Sequence, residues 1–254
     1  MGINGVALST ILVEVAIFGF LIYHLFKKMK IQFLIQSIWR VSVEWKILGN
    51  ISLGIVIEST IKNLSYLTMV VGLLNTLGVK ETGGYYLAMH LFWSFLLFPI
   101  IALSDTLKVL IANHSNDLKK VKSLLKFAVG LGIVFLFTWP VLIPILEPVL
   151  NFLNKDTAIV EYAKTALLIL WIPYTLMAIN FIIDSLFYGL GKTKFLAIQS
   201  IITNLSVYLT GFLLYKNEIW VPTFHTILLL FTLGIAVDSL ITFINMQNVI
   251  KNKN

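Results

Sequence analysis

Three carboxylates lie deep inside long apolar segments of the sequence, where an acidic side chain needs a partner, a proton or a function. Glu58 lies in the apolar run 47–77, Asp238 in the run 221–249 and Glu14 in the run 3–26. At about 1.5 Å per helical residue, each is roughly 15 to 20 Å from one end of its segment. Ionised carboxylates at such depth are expensive and are commonly functional. We therefore expect Glu58, Asp238 and Glu14 to accept protons or to couple to a cation such as sodium.

Lys62 follows Glu58 by four residues, which is the favoured order for an ion pair within one helix. Two interpretations stay open. Lys62 is either a permanent structural partner of Glu58 or a partner that a proton, a sodium ion or a cationic substrate displaces. Asp238 has no Lys or Arg within its own segment, so the alternatives there are a functional cation or proton and a partner such as Lys62 from another helix.

A further polar face lies on the segment 163–188. Asn180, Asp184 and Tyr188 recur every four residues, so they share one side of a helix. Asp184 is only about 6 to 10 Å from its segment end, and we expect these three residues and Lys62 to contact substrate or to form a gate. Asp105 and Lys108, three residues apart, most simply form a local ion pair.

The composition excludes most soluble protein classes. Of the 254 residues 58% are hydrophobic and only 12% are charged, which is too little polar surface to coat a soluble globule. The sequence has no cysteine, and its four histidines have no ligand spacing, so we expect no metal site and no cofactor. No catalytic motif occurs, so we expect no enzyme. The net charge of +7 belongs to loop lysines and predicts membrane lipids, not nucleic acid, as partners.

The predicted fold is all-α, a polytopic transmembrane bundle of about seven spanning helices. A spanning helix needs about 20 apolar residues. We expect the long second segment to bend or tilt near Gly49 and Gly54. We also expect prolines to interrupt the outer end of the fourth segment. Aromatic residues such as Trp93, Tyr174 and Tyr208 are expected mainly at interfacial belts. The seven segments are 3–26, 47–77, 86–112, 124–146, 163–188, 195–214 and 221–249, and the prolines are Pro140, Pro144 and Pro148.

Basic residues mark one side of the membrane. Most of the 19 lysines and arginines fall in alternate connections, which predicts an N-terminus outside and a C-terminus inside the cell. The predicted domains are 1–30, a first transmembrane helix at the end of a missing N-terminal lobe; 31–46, a cytoplasmic amphipathic linker; and 47–254, a six-helix C-terminal lobe. The inside residues are Lys27, Lys28, Lys30, Arg40, Lys46, Lys119, Lys120, Lys122, Lys126, Lys192, Lys194, Lys251 and Lys253.

Four stretches, in order and spacing, resemble the multidrug and toxic compound extrusion (MATE) family. They are similar to the openings of that family's sixth and seventh helices, part of its eighth helix, and the glycine turn between its tenth and eleventh helices. The resemblance covers the whole chain but only helices six to twelve of the family's twelve, so we expect a truncated or split member. The stretches are GINGVALST at 2–10, ISLGIVIE at 51–58, ALSDTLKVL at 102–110 and YGLGKTK at 188–194.

The resemblance implies V-shaped lobes and a secondary active antiporter. Such a protein exports organic cations or drugs in exchange for sodium ions or protons across the cell (inner, plasma) membrane. Glu58 falls on the seventh-helix acid linked to coupling in part of the family. Asp184 lies nearer the glycine turn than the tenth-helix acid of those members, so that role is not transferred. Gly54 replaces an expected proline, and Lys62, Asp105 and Lys108 are further departures.

Two alternatives to cation export stay open. One is a flippase of the same superfamily for a lipid-linked substrate, because Lys62 and Lys108 offer positive charge to an anionic headgroup. The other is a membrane fragment or scaffold that does not transport. In either transport hypothesis, the expected partner of the chain is the missing N-terminal lobe or a second copy.

Overall fold

A computed structural model describes residues 2–28 and 45–251, and all regular structure in these ranges is helical. The chain divides into two compact units, Met1–Leu48 and Gly49–Asn254. The all-α prediction is confirmed. Most of the predicted amphipathic linker at 31–46 lies outside the described residues, so the three-part domain division stays a prediction.

Eight helices occupy the seven predicted apolar segments within the described ranges. Three of them contain a π-helical part, in which each backbone hydrogen bond joins residues five apart instead of four. The helices are α1, Gly2–Lys28; α2, 45–77, which combines Trp45–Ser65, the π segment Tyr66–Val71 and Gly72–Leu77; α3, Val79–Leu96, ending in the π segment Phe92–Leu96; α4, Phe98–Asn113; α5, Leu118–Leu153; α6, Thr157–Gly189; α7, Thr193–Lys216, with the π segment Asn204–Leu209; and α8, Phe224–Lys251.

The helices make this a multi-pass membrane protein. By length and composition, α5, α6, α7 and α8 can each cross a membrane, and α3 with α4 makes a fifth span if this bent pair counts as one. The first helix has a shorter apolar stretch, Ile11–His24. The described residues thus contain four or five candidate spans where the sequence predicts about seven. The predicted orientation, with the N-terminus outside, stays a prediction.

The third predicted segment is two helices, not one. The axes of α3 and α4 differ by 51° at a break around Leu97. Pro99 is the second residue of α4 and has no N–H to donate to the carbonyl of Phe95, so the helix cannot continue regularly through this point. The Leu97 N–H donates to the Phe92 carbonyl at 2.8 Å, which closes the π turn at the bend.

The predicted interruption of the fourth segment by prolines is wrong. The predicted bend or tilt near Gly49 and Gly54 stays a prediction. The helix Trp45–Ser65 passes Gly49 and Gly54 without interruption, and the irregular part of α2 is the later π segment. Helix α5 continues through Pro140, Pro144 and Pro148. Because these prolines are four residues apart, they share one face, and the carbonyls that they leave without donors lie along that face alone. The remaining hydrogen bonds of the helix can therefore stay in place.

Helix α6 is central in the second unit and packs against α3, α4, α5 and α8. Its buried aromatic side chain Tyr174 stacks on Phe92 of α3, with ring centroids 4.1 Å apart. Gly84 of α3 allows a close approach, because a Cβ atom there would collide with the Tyr162 side chain of α6. Small residues at crossings let membrane helices approach closely and pack. This packing fixes the position of the polar face of α6.

Candidate functional site

A cavity of about 570 Å³ in the second unit collects most of the residues that the sequence singles out. Helices α2, α3, α6, α7 and α8 contribute to its walls. The predicted site residues Glu58, Lys62, Asn180, Asp184, Tyr188 and Asp238 all line it. The other lining residues are Ser59, Asn63, Tyr66, Trp93, Tyr174, Met177, Phe181, Thr203, Asn204, Tyr208, Phe231, Gly234 and Ile235.

Lys62 lies between two carboxylates of different helices. Its Nζ is 2.9 Å from Glu58 Oε1 on α2 and 3.9 Å from Asp238 Oδ2 on α8. The Glu58 side chain is 6% exposed and that of Asp238 is 17% exposed, whereas Lys62 is 39% exposed. The predicted pair of Glu58 with Lys62 is confirmed, and so is Lys62 as an ion-pair partner of Asp238 from another helix. The lysine is the more accessible member of this cluster.

The second oxygen of Glu58 is held from α6. The Tyr188 hydroxyl donates to Glu58 Oε2 at 2.7 Å. Lys108 Nζ lies 4.8 Å from the centre of the Tyr188 ring and 2.7 Å from Asp105 Oδ1, which confirms the predicted local pair of Lys108 and Asp105. One oxygen of Glu58 therefore contacts the Lys62 ammonium, and the other accepts a hydrogen bond from the Tyr188 phenol. Both partners lie on the polar helix faces that the sequence predicts.

The remaining polar residues join α6, α7 and α8. The Thr203 hydroxyl is 3.5 Å from Asp238 Oδ1, and the Thr242 hydroxyl is 3.4 Å from Asp184 Oδ1. Asn180 donates to the Ser239 hydroxyl at 2.7 Å. Depth counting along the sequence separates Asp184 from the deeper acids Glu58 and Asp238, but the structure brings these three acids to one cavity. The sequence did not predict the hydroxyl partners Thr203 and Ser239.

Aromatic side chains form much of the cavity wall. Three aromatic residues that were expected mainly at interfacial belts line the cavity: Trp93, Tyr174 and Tyr208. The spacing on α6 indicates such a position for two aromatic residues. Tyr174 and Phe181 follow the three- and four-residue spacing that places side chains on the polar face of this helix. Tyr66 and Phe231 complete the wall. Aromatic faces beside carboxylates are a suitable environment for an organic cation.

Each of the three π-helical segments in the described ranges contributes to this cavity. Tyr66 belongs to the π segment of α2, Trp93 to that of α3, and Asn204 and Tyr208 to that of α7. A π segment adds a residue to a helical turn and so rotates the side chains that follow. The spacing rules used for the sequence do not predict such segments.

Gly54 explains how α2 and α7 approach closely next to the cluster. A Cβ atom at Gly54 would lie 2.9 Å from the backbone carbon of Thr193. One turn earlier, the Ile51 carbonyl accepts a hydrogen bond from the Thr193 hydroxyl at 2.8 Å. The Ser200 hydroxyl also donates to the backbone carbonyl of Glu58, at 3.3 Å. Helix α7 therefore fixes the part of α2 that carries Glu58.

Glu14 lies on α1 in the first unit, where it is exposed, and its coupling role stays a prediction. Within the described residues, no group of three or more His, Cys, Asp or Glu side chains is placed to hold a metal ion. The acids of the cavity therefore do not form a multidentate metal centre. Their arrangement suits single exchangeable charges: a proton, a monovalent ion or an organic cation.

Comparison with known proteins identifies the family. The model of the MatE family matches residues 54–213. No curated protein has a sequence that matches this chain. The similar solved structures include two transporters, and the chain covers less than half of each of these two. At their low identities the similarity shows the fold alone.

The first structure is a MOP superfamily transporter from Pyrococcus furiosus, described as having a binding pocket of reverse polarity that suggests a different function. It has a TM-score of 0.65 and 14% identity, over 78% of this chain and 43% of that one. The second is an outward-facing multidrug resistance MATE family transporter of the MOP superfamily, with a TM-score of 0.62 and 16% identity, over 78% and 44%. Because the MatE model matches more than half of the residues, this chain belongs to the MATE family, whose members are transporters and not enzymes.

Proposed function

We propose that the chain works as one lobe of a secondary antiporter that exports organic cations in exchange for sodium ions or protons. The observation that supports this function best is the cavity itself. Its walls combine three carboxylates with a single lysine, and Glu58, Asp184 and Asp238 come from three different helices. If all four groups are ionised, three negative charges and one positive charge leave an excess of two negative charges.

The cavity walls favour a lipophilic cation over a small hydrated one. Such a cation keeps little hydration shell and gains from contact with aromatic faces, which attract positive charge through the ring quadrupole. Tyr66, Trp93, Phe181 and Phe231 supply such faces near the acids. A drug-sized ligand fits a cavity of about 570 Å³. We therefore propose that the aromatic side chains contact the substrate and that the carboxylates neutralise its positive charge.

Exchange follows from competition for the same carboxylates. A proton, a sodium ion and a substrate cation each neutralise Glu58 or Asp238, so the binding of one disfavours the others. A transporter alternates between inward- and outward-open states, and a ligand biases this equilibrium only if it binds the two states with different affinity. Lys62 takes part because its ammonium already contacts both carboxylates. In this mechanism Asn180, Asp184 and Tyr188 line the substrate path.

The proposed transporter needs a second half. The chain spans 43% and 44% of the two solved MATE and MOP structures. We assign the other half to an N-terminal lobe or to a second copy of this chain, placed with it in the plasma membrane. In this assembly Glu14 is proposed as a further acid for coupling. A non-transporting scaffold would bind no cation in the cavity and would need no second half.

The flippase alternative depends on positive charge for an anionic headgroup. Both lysines that suggested it have carboxylate partners in the structure: Lys62 contacts Glu58 and Asp238, and Lys108 contacts Asp105. A relative from Pyrococcus furiosus is described as having a pocket of reverse polarity with a suggested different function. Substrate charge therefore needs a direct test within this superfamily.

The test measures binding of tetraphenylphosphonium, a lipophilic cation, to the purified chain by titration calorimetry. We expect Glu58→Gln and Asp238→Asn each to weaken cation binding about tenfold, equivalent to about 1.4 kcal/mol. Glu147→Gln is the matched control, because Glu147 is an exposed acid that pairs with Lys164 on the neighbouring helix. Equal cation affinity in all variants contradicts the proposal. Binding of a polyprenyl pyrophosphate in place of the cation favours the flippase.

A further inference from the structure

A second, smaller pocket lies where α2 meets the turn between α6 and α7. Its volume is about 240 Å³. Pockets for drug-sized ligands have volumes of about 300 to 1,000 Å³, so this pocket suits a smaller group. Two of its six lining residues are lysines and none is acidic, and it shares no residue with the larger cavity. The lining residues are Asn50, Ile51, Gly191, Lys192, Lys194 and Phe195.

Hydrogen bonds of the turn hold the walls of this pocket in place. The Lys192 N–H donates to the Phe187 carbonyl at 2.8 Å, which closes the turn after α6. Gly191 has a φ of 66°, in the left-handed region that favours glycine. The Thr193 hydroxyl donates to the Ile51 carbonyl at 2.8 Å, which fixes the beginning of α7 against α2. The two lysines precede and follow Thr193, so their backbone positions beside α2 are fixed.

The charge of the pocket favours an anionic ligand. Lys194 is exposed, and no carboxylate within 2–28 and 45–251 lies within 4.0 Å of its Nζ. Lys192 contributes a second ammonium group, and the Asn50 side chain contributes amide N–H donors. Ammonium and amide groups donate hydrogen bonds to phosphate oxygens, and those from a charged group to a phosphate are among the strong ones. The polar groups of this pocket therefore match a phosphate group.

The surroundings of the pocket are apolar, which a free phosphate ion does not need. Ile51 and Phe195 form part of its wall. Along α7, Lys194 is followed after four, seven and eight residues by three exposed isoleucines, so all four lie on one side of this helix. A lipid chain along this side would place its headgroup at Lys194. The isoleucines are Ile198, Ile201 and Ile202.

We propose that this pocket binds the phosphate of an anionic membrane lipid, with Lys192, Lys194 and Asn50 as donors. The acyl chain lies along the exposed isoleucines of α7. The basic loops predict that the turn between α6 and α7 lies on the cytoplasmic side, where anionic lipids attract lysines. The bound molecule is a structural lipid at the surface of the helix bundle. It is distinct from a transported substrate, which would occupy the larger cavity.

An occupied pocket would stabilise the contact between α2 and α7. Asn50 precedes Glu58 by eight residues on α2, a distance of about 12 Å along the helix axis. A phosphate held by Asn50 and the two lysines adds bonds between the helices that position Glu58. The lipid is therefore expected to raise the unfolding midpoint of the chain. The proposal does not depend on antiport, because lipid binding is measured without a transported cation.

The experiment measures lipid binding to the purified chain by native mass spectrometry, in detergent micelles that contain dioleoylphosphatidylglycerol or dioleoylphosphatidylcholine. We expect the anionic lipid to bind at least fivefold more tightly than the zwitterionic one. Lys192→Gln and Lys194→Gln are each expected to weaken its binding about fivefold, the effect of one lysine near an anionic lipid surface. Lys194→Arg keeps the charge and the binding. Lys126→Gln is the matched control, because Lys126 is also an exposed lysine on the predicted cytoplasmic side but does not line the pocket.

Two further measurements distinguish a lipid from a free anion. Inorganic phosphate at equal concentration is expected neither to displace the anionic lipid nor to raise the unfolding midpoint. Ile198→Asn makes the acyl-chain side polar and is expected to weaken lipid binding. Displacement by inorganic phosphate, together with unchanged lipid binding by Ile198→Asn, identifies a small-anion site and overturns the lipid assignment.

The lysine variants decide whether the pocket itself is the site. Equal affinity of the wild type for the two lipids overturns the proposal. Equal lipid binding by the Lys194→Gln and Lys126→Gln variants also overturns it, because the attraction would then belong to the basic surface as a whole. Because Lys194 is exposed, its replacement removes charge without disturbing buried packing. Binding of tetraphenylphosphonium tests the proposed export separately, so either proposal can fail while the other holds.

Discussion

Replacement of Lys62 by methionine distinguishes a permanent partner of Glu58 from a competitor for its cation. Methionine keeps the length and apolar stem of the side chain but removes the ammonium. If Lys62 competes, a substrate cation in the wild-type protein must displace this ammonium from Glu58 and Asp238. In Lys62→Met no displacement is needed, and one repulsive charge has gone. We therefore expect the variant to bind tetraphenylphosphonium more tightly than the wild type does.

The magnitude follows from the two distances. For separations of 2.9 and 3.9 Å, Coulomb energies are about 6 and 4 kcal/mol at an effective dielectric constant of about 20, and about 1.4 and 1.1 kcal/mol in bulk water. The Lys62 side chain is 39% exposed, so the Coulomb energies of its two ion pairs are closer to the values for bulk water. The cost of removing the charges from water offsets part of this Coulomb energy. A net gain of about 1 to 2 kcal/mol corresponds to roughly 5- to 30-fold tighter binding.

Titration calorimetry on the purified chain measures this change, and two variants control it. Lys62→Arg keeps the charge and is expected to bind within about threefold of the wild type, a difference of about 0.7 kcal/mol. Lys164→Met makes the same chemical change at a surface pair with Glu147, where Nζ and Oε2 are 2.9 Å apart, and is expected to leave the affinity unchanged. Unchanged or weaker binding by a folded Lys62→Met variant would refute the competition. If this variant also has a lower unfolding midpoint, the result identifies Lys62 as a structural partner of Glu58.

Two further predictions concern contacts that hold the cluster in place. Tyr188→Phe removes the 2.7 Å hydrogen bond to Glu58 but keeps the ring. We expect the free energy of unfolding, measured by thermal denaturation, to fall by about 1.5 to 3 kcal/mol. An unchanged unfolding midpoint would contradict this role of the phenol. Gly54→Ala places a methyl group 2.9 Å from the Thr193 backbone and is expected to destabilise by about 1 to 3 kcal/mol. Gly130→Ala, which meets nothing within 4 Å, is its control, and equal stability of the two variants would contradict the close approach.

Local spacing along the sequence predicts those parts of the structure that depend on one helix. The apolar runs predict the helices, because a segment that crosses a membrane must satisfy its backbone hydrogen bonds internally. The four-residue separation of Glu58 and Lys62 predicts their ion pair, and the three-residue separation of Asp105 and Lys108 predicts theirs. Both pairs form at 2.9 and 2.7 Å, respectively. In these cases neighbouring turns of one helix decide the contact.

Contacts between helices need information that spacing does not contain. The 51° bend between α3 and α4 follows from Pro99, yet the apolar run 86–112 continues through it and hides the break. The π segments contain Tyr66, Trp93 and Tyr208 of the cavity wall, and the spacing along the sequence does not show where such segments form. Depth counting assumes straight helices that end at one level. It therefore separates Asp184 from acids with which Asp184 shares a cavity.

The cavity connects its helices through the same groups that would carry charge. Each of its three carboxylates contacts a hydroxyl from a different helix, so a proton or a cation that arrives at one carboxylate alters a contact between two helices. Binding chemistry and helix packing are therefore linked at this site. A ligand with different affinity for two helix arrangements would shift the equilibrium between them through these contacts. The pairs are Glu58 of α2 with Tyr188 of α6, Asp238 of α8 with Thr203 of α7, and Asp184 of α6 with Thr242 of α8.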